Sequence, residues 1–132
     1  MPYLFRALAI AFLLALSLTA CKKDDAPKED LPVFVPLDMF TVNLSSVDNY
    51  LQATFELKVA NQQTAEEVRQ YLPLIRNGVI LLLTSKSNEE ISSADGKQKL
   101  STELVEKVNS ILGKEGLKDT IQSVNFTSFL VQ

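Results

Sequence analysis

Between Leu51 and Val59 apolar and polar residues alternate without a fault, with Leu51, Ala53, Phe55, Leu57 and Val59 on one side and Gln52, Thr54, Glu56 and Lys58 on the other. A period of two does not fit the apolar face of a helix, so this run predicts a strand with one buried and one wet face. Residues 33–44 (VFVPLDMFTVNL) are rich in β-branched and aromatic side chains and are divided by Pro36, which predicts an edge strand with a break. Residues 45–49 supply a turn, and the two runs together make an antiparallel hairpin.

At Thr64 the period changes. Thr64-Ala65-Glu66-Glu67 matches a capping box, and Val68, Leu72, Ile75, Val79 and Leu82 follow at three- and four-residue steps. Pro73 removes a backbone donor and Gly78 weakens the helix, which predicts a kink or a break near residues 72–78. Residues 79–83 (VILLL) are apolar all round, which suits either a helix buried on several sides or a surface covered by a neighbouring copy. Residues 84–92 read as a polar connection. A further helix is expected from Ser92 or Ser93, with Asp95 in its first turn, Leu100, Leu104, Val108 and Ile111 on one face, and a stop at Gly113. Residues 121–131 close the chain as a strand, and the change of apolar parity at Thr127-Ser128 predicts a bulge. The expected fold class is α+β, a small antiparallel sheet with helices packed on one face.

Ahead of this domain the composition shifts. Sixteen of the first 20 residues are apolar, Arg6 stands near the start, and small residues lead to Cys21, the pattern of a secretory signal. The stretch from Ala7 to Ala20 would rise only ~21 Å as a helix, against a hydrocarbon core of ~30 Å. An uncleaved membrane helix would therefore have to begin near Tyr3 and bury Arg6 or let it reach the interface. Leu18-Thr19-Ala20-Cys21 resembles the lipobox of bacterial lipoproteins, and that resemblance implies cleavage before Cys21 and lipid attachment to its thiol. Residues 22–32 (KKDDAPKEDLP) have too little apolar surface to fold and read as a tether of at most ~40 Å. The expected organisation is a lipoprotein signal peptide over 1–20, an acylated Cys21 with a charged tether over 21–32, and one domain over 33–132.

The residue inventory narrows the chemistry. The chain has no His and one Cys, which excludes a Ser-His-Asp triad, a Cys-His dyad and an internal disulfide. Twelve basic residues face 16 acidic ones once Arg6 is set aside with the leader, so no basic block suits a nucleic acid backbone. Glu66-Glu67 and Glu89-Glu90 are adjacent carboxylates, which point apart on a helix and suit paired acid-base work poorly. Gly113-Lys114-Glu115-Gly116 lacks the spacing of a phosphate loop and reads as a helix end. Lys97, Lys99 and Lys107 are placed on the exposed side of the last helix. Asn43-Leu44-Ser45 and Asn125-Phe126-Thr127 match the glycosylation tripeptide but fall at or within expected strands. No catalytic, cofactor or metal residues are assigned, and Cys21 is the one candidate site residue.

Three segments together resemble the periplasmic domain of the FliL family of flagellar basal-body-associated proteins. They are the hairpin 34–44 with 50–59, the segment 74–86 (LIRNGVILLLTSK), and the strand 124–132 (VNFTSFLVQ). The spacing Pro-Leu-Ile-Arg-(x)4-Leu-Leu-Leu-(x)2-Lys and the Gly96-Lys97 pair after Ser-Ala-Asp add to the match, which covers residues 33–132. The resemblance implies a stomatin/SPFH-like domain without enzymatic activity or cofactor. It also implies a homo-oligomeric ring in the bacterial envelope, near the flagellar basal body and around the MotA/MotB stator, that supports torque during swimming and swarming. Members of that family usually keep a membrane helix where this chain carries the lipobox, and Lys22 after Cys21 favours the outer membrane by the usual enterobacterial rule. The lipid membrane is accordingly an expected partner. A lipid-anchored envelope binding module with non-flagellar protein partners is the alternative.

Overall fold

The computed structural model describes residues 31–132, so the leader, Cys21 and most of the tether lie outside the described residues. Three strands, β1 (Val33–Asn43), β2 (Tyr50–Val59) and β3 (Ser123–Val131), form one antiparallel sheet in the order β1-β2-β3. Between β2 and β3 run four helices: α1 (Gln62–Gln70), α2 (Leu72–Thr84), α3 (Asn88–Ser92) and α4 (Ala94–Lys114). The fold is α+β, as expected.

Strand β2 is central, and its alternation translates directly into burial: Leu51, Ala53, Phe55, Leu57 and Val59 are all buried. The helices cover this face only, with α4 against β3 and α1 and α2 against β1. On β3 the pairing steps from Thr54 opposite Ser128 to Phe55 opposite Phe126, which leaves Thr127 as the extra residue. That bulge keeps Val124, Phe126, Phe129 and Val131 opposite the inward residues of β2, as the parity change requires. A line of rings then crosses the sheet, with centroids 5.0 Å apart for Phe40–Phe55, 5.4 Å for Phe55–Phe126 and 5.2 Å for Phe126–Phe129.

Strand β1 departs from expectation. Pro36 lies within the ladder opposite Glu56, and the irregularity comes two residues later, between Leu37 and Phe40. An edge strand tolerates Pro where the ring nitrogen faces away from its neighbour, so Pro36 need not break it. Asp38 and Met39 together oppose Thr54, and the bulge carries the inward set from Val35 and Leu37 to Phe40 and Val42.

The helix boundaries also shift. Asn61, three residues before Thr64, caps α1: its side-chain oxygen accepts from the Thr64 N–H at 2.9 Å and the Thr64 hydroxyl at 3.0 Å. The expected break falls at Tyr71, with Pro73 in the first turn of α2, where a missing N–H costs nothing. Gly78 remains inside α2, and a Cβ there would come within 2.2 Å of the Ile111 side chain on α4. Within residues 79–83, Val79 and Leu83 are buried but Leu81 is 59% exposed, so α2 is open on one side rather than surrounded. The polar connection contains α3, whose start is a capping box: Glu90 N–H donates to the Ser87 hydroxyl and Ser87 N–H donates to the Glu90 carboxylate at 2.7 Å. A five-residue helix that buries only Ile91 is too short to show a period.

Helix α4 begins at its N-cap Ser93 and buries Leu100, Leu104, Val108 and Leu112, the last in place of Ile111. It runs one residue past Gly113. Gly116, at φ +90°, takes the left-handed position; Leu117 N–H donates to the Leu112 carbonyl at 2.9 Å and Gly116 N–H to the Gly113 carbonyl at 3.3 Å. These two bonds are a Schellman ending, which accounts for Gly113-Lys114-Glu115-Gly116 as a helix end. Asn109 ties α4 to the entry of β3, donating to the Ile121 carbonyl at 3.0 Å and accepting its N–H at 2.8 Å. Ser101 donates to the Val124 carbonyl at 2.7 Å.

Candidate functional site

Residues 73–86 and 96–97, the spacing noted above, make contacts that join helices to the sheet and to one another. The β1 bulge turns the Asp38 and Met39 carbonyls out of the ladder, and Arg76 of α2 meets both. Its Nη1 donates to the Asp38 oxygen at 3.0 Å and its Nη2 to the Met39 oxygen at 2.9 Å, while the guanidinium carbon lies 4.3 Å from the centre of the Phe40 ring. A planar fork of donors suits two adjacent carbonyls, and the same plane lies over an aromatic face. Just past α2, the Lys86 ammonium is paired with Glu103 Oε2 of α4, with the two side chains only 15% and 24% exposed. The Lys86 carbonyl accepts the Ser45 N–H at 2.9 Å, which fastens the hairpin turn to the end of α2. Gly96 lies against the end of α3: a Cβ there would fall 2.0 Å from the Glu90 carbonyl oxygen. Lys97 does not point into open solvent, because its ammonium lies 5.2 Å from the centre of the Phe129 ring. Lys107 is also partly buried, beside Gly78, and Lys99 is exposed as expected.

A small cleft of about 140 Å³ opens between α3 and α4, lined by Lys86, Glu90, Lys99 and Glu103 with Ile91 and Leu100 beneath. Its carboxylates already have partners. Hydrogen bonds from the Ser87 backbone N–H, then from its side chain, hold the Glu90 carboxyl below the usual glutamate range despite its full exposure. A carboxyl held low is an anion at neutral pH, and poorly matched to proton transfer there. Glu66 accepts from Arg69 at 2.8 Å and from Gln62 at 2.6 Å on the surface of α1. Among the described residues no group of three or more Cys, Asp or Glu is placed to hold a metal ion, and no helix is long and apolar enough to cross a membrane. Asn43 ends β1 and Asn125 lies within β3. Cys21 lies outside the described residues.

The other surfaces are broader than the cleft. Strands β1 and β3 each have an edge with no strand beside it among the described residues. Along β3 a groove of about 550 Å³ separates the strand from the first half of α4, with Lys97, Gln98 and Ser101 on one wall and Ser123, Asn125 and Phe126 on the other. Phe126, Phe129 and Val131 are only partly covered there. On α2, Leu74 and Leu81 stand seven residues apart on the open side. The expectation of edge strands and an apolar helix able to meet neighbours rests on these three places, none of which has a short motif that would mark it in the sequence.

Comparison with known proteins agrees with this layout. The family described as "Flagellar basal body-associated protein FliL" matches residues 34–132. Relatives named "Flagellar protein FliL" include one from Aquifex aeolicus, 35% identical across 70% of this chain and 56% of its own length, so the chain spans just over half of that relative. Another, from Escherichia coli, is 27% identical across 96% of this chain and 93% of its own length. A third, from Bacillus subtilis, is 31% identical across 74% of this chain and 66% of its own length. The family match takes in nearly all of β1 and every element after it, including the Arg76 fork and the Lys86–Glu103 pair. The chain belongs to the FliL family of flagellar basal-body-associated proteins.

Proposed function

We propose that the chain is a non-enzymatic accessory of the flagellar motor that associates with the MotA/MotB stator and supports torque in swimming and swarming. The observation that carries this is the family match over the whole sheet-and-helix domain. Its working parts are surfaces rather than a pocket: the free edges of β1 and β3, the groove beside β3 and the exposed leucines of α2, which suit protein neighbours, including further copies arranged in a ring. Residues 1–20 act as a lipoprotein signal, Cys21 carries the lipid, and residues 21–32 hold the domain in the envelope close to a membrane. Two or more acyl chains suffice for stable attachment where one is marginal.

A deletion strain tests the assignment. Swimming and swarming on soft agar should both decline and return when the gene is restored, and the protein should co-purify with stator subunits from cross-linked cells. A deletion strain that moves like its parent counts against a motor role. Because the leader carries a lipobox where relatives of this family usually keep a membrane helix, a second reading stands beside the first. In it the chain is a lipid-anchored envelope binding module, and a co-purification dominated by non-flagellar envelope proteins would favour it.

A further inference from the structure

Seven large apolar side chains are exposed among the described residues, and two of them, Leu31 and Phe34, fall within its first four positions. Leu31 is 79% exposed and Phe34 is 42% exposed. Phe34 lies on the sheet face that the helices leave uncovered, at the end of β1 where the tether arrives, and its cross-strand partner is Lys58. The rest of that face is polar along β2, with Gln52, Thr54 and Glu56. An aromatic ring on an edge strand, an adjacent leucine and a lysine whose charge lies at the end of a long stem match the composition of a membrane interface, where rings and stems lie at headgroup depth and the ammonium meets phosphate.

We infer that the corner formed by Leu31, Phe34 and Lys58 rests on the phospholipid surface and seats the domain with the start of β1 toward the membrane. The inference rests on the membrane attachment proposed above. Only nine residues separate Cys21 from Leu31, a contour of at most ~32 Å, so the corner cannot leave the neighbourhood of the bilayer. A tether this short raises the local concentration of the corner at the membrane to the millimolar range, where a contact of two side chains too weak to recruit a free domain becomes populated. The loop after α4 reaches the same end of the sheet, since Gln122 N–H donates to the Lys58 carbonyl at 2.9 Å. That loop carries both Lys118 and Asp119, so the seat depends on apolar insertion more than on net charge.

The chain has no Trp, so one introduced indole reports alone. The full-length protein is reconstituted into vesicles of phosphatidylethanolamine and phosphatidylglycerol, with or without brominated acyl chains, as Phe34→Trp and separately as Leu81→Trp, the second at a more open position on α2. Flotation reports attachment, and circular dichroism reports folding. The indole of Phe34→Trp should emit at shorter wavelength than that of Leu81→Trp and lose emission with brominated lipid, while that of Leu81→Trp keeps it. A floating, folded Phe34→Trp whose emission brominated lipid leaves unchanged overturns the seat and leaves the attachment standing. A chain that does not float overturns both. Leu31→Trp repeats the test at the neighbouring position and keeps it decisive if Phe34→Trp does not fold.

Discussion

Replacing Arg76 with Lys keeps the positive charge and removes the fork. One ammonium cannot serve the Asp38 and Met39 carbonyls together, nor lie flat on Phe40, so Arg76→Lys should destabilise the domain by about 1 to 2 kcal/mol in urea unfolding. An Arg76→Lys protein as stable as the parent would show the clamp to be ornamental. Two glycines of α4 provide an opposed pair. At Gly96 an added methyl meets the Glu90 backbone, which cannot rotate away, whereas at Gly113 it meets nothing within 4 Å. Gly96→Ala should cost about 2 kcal/mol or more, and Gly113→Ala should gain up to about 1 kcal/mol, because alanine suits a helix interior better. Thermal unfolding of the two variants should move in opposite directions. The sequence alone shows both positions as the same letter in one helix. What separates them is the end of α3 packed on one and open solvent on the other, a long-range fact that no local pattern encodes.

At the scale of elements, what could be read from the sequence follows the length of the pattern. Strand β2 was plain from five apolar residues alternating with four polar ones, and the Thr127 bulge from a parity change in the apolar set of β3. The same parity change exists in β1 between Leu37 and Phe40, but Pro36 is the louder signal and draws the expected break two residues too early. Helix α1 shows a similar competition: Thr64 with Glu67 fits a capping box, yet Asn61 offers a stronger cap one turn earlier. Helix α3 had no period to read, and its start depends on one residue pair, Ser87 and Glu90. The bond from the Ser87 backbone holds the Glu90 carboxyl below its usual range. A lowered carboxyl favours the folded state above its unfolded pKa and loses that contribution as pH falls through the lowered value. Carbon-detected titration should find the Glu90 midpoint below the ordinary glutamate range; Ser87→Ala, which removes the hydroxyl and keeps the backbone donor, should bring it only part of the way back, and Ser87→Pro, which removes both, should bring it further. A midpoint unaffected by Ser87→Pro would remove the capping box as its cause. The candidate surfaces were the least legible, since the groove beside β3 and the open side of α2 exist only once β3 has paired and α4 has packed.

At the scale of the molecule, a domain with its chemistry in its surfaces fits a protein that acts by contact, and the order in which those surfaces come into being follows from the sheet. Strands β1 and β2 are joined by a short turn, but Phe55 and Phe126, whose rings touch, are roughly 70 residues apart in the chain. Closing so long a loop loses entropy before any contact compensates it, so local pairing has the advantage in time. We expect Phe40→Leu, within the hairpin, to slow refolding in stopped-flow measurements, and Val124→Ala, at the β2–β3 seam, to act mainly by speeding unfolding. Equal retardation of refolding by both would contradict this order. The late strand is also the one that bounds the groove of about 550 Å³ beside α4. A newly made chain therefore passes through a period in which the hairpin has paired but the groove beside β3 does not yet exist. The rate at which β3 closes sets the earliest moment at which that groove is present.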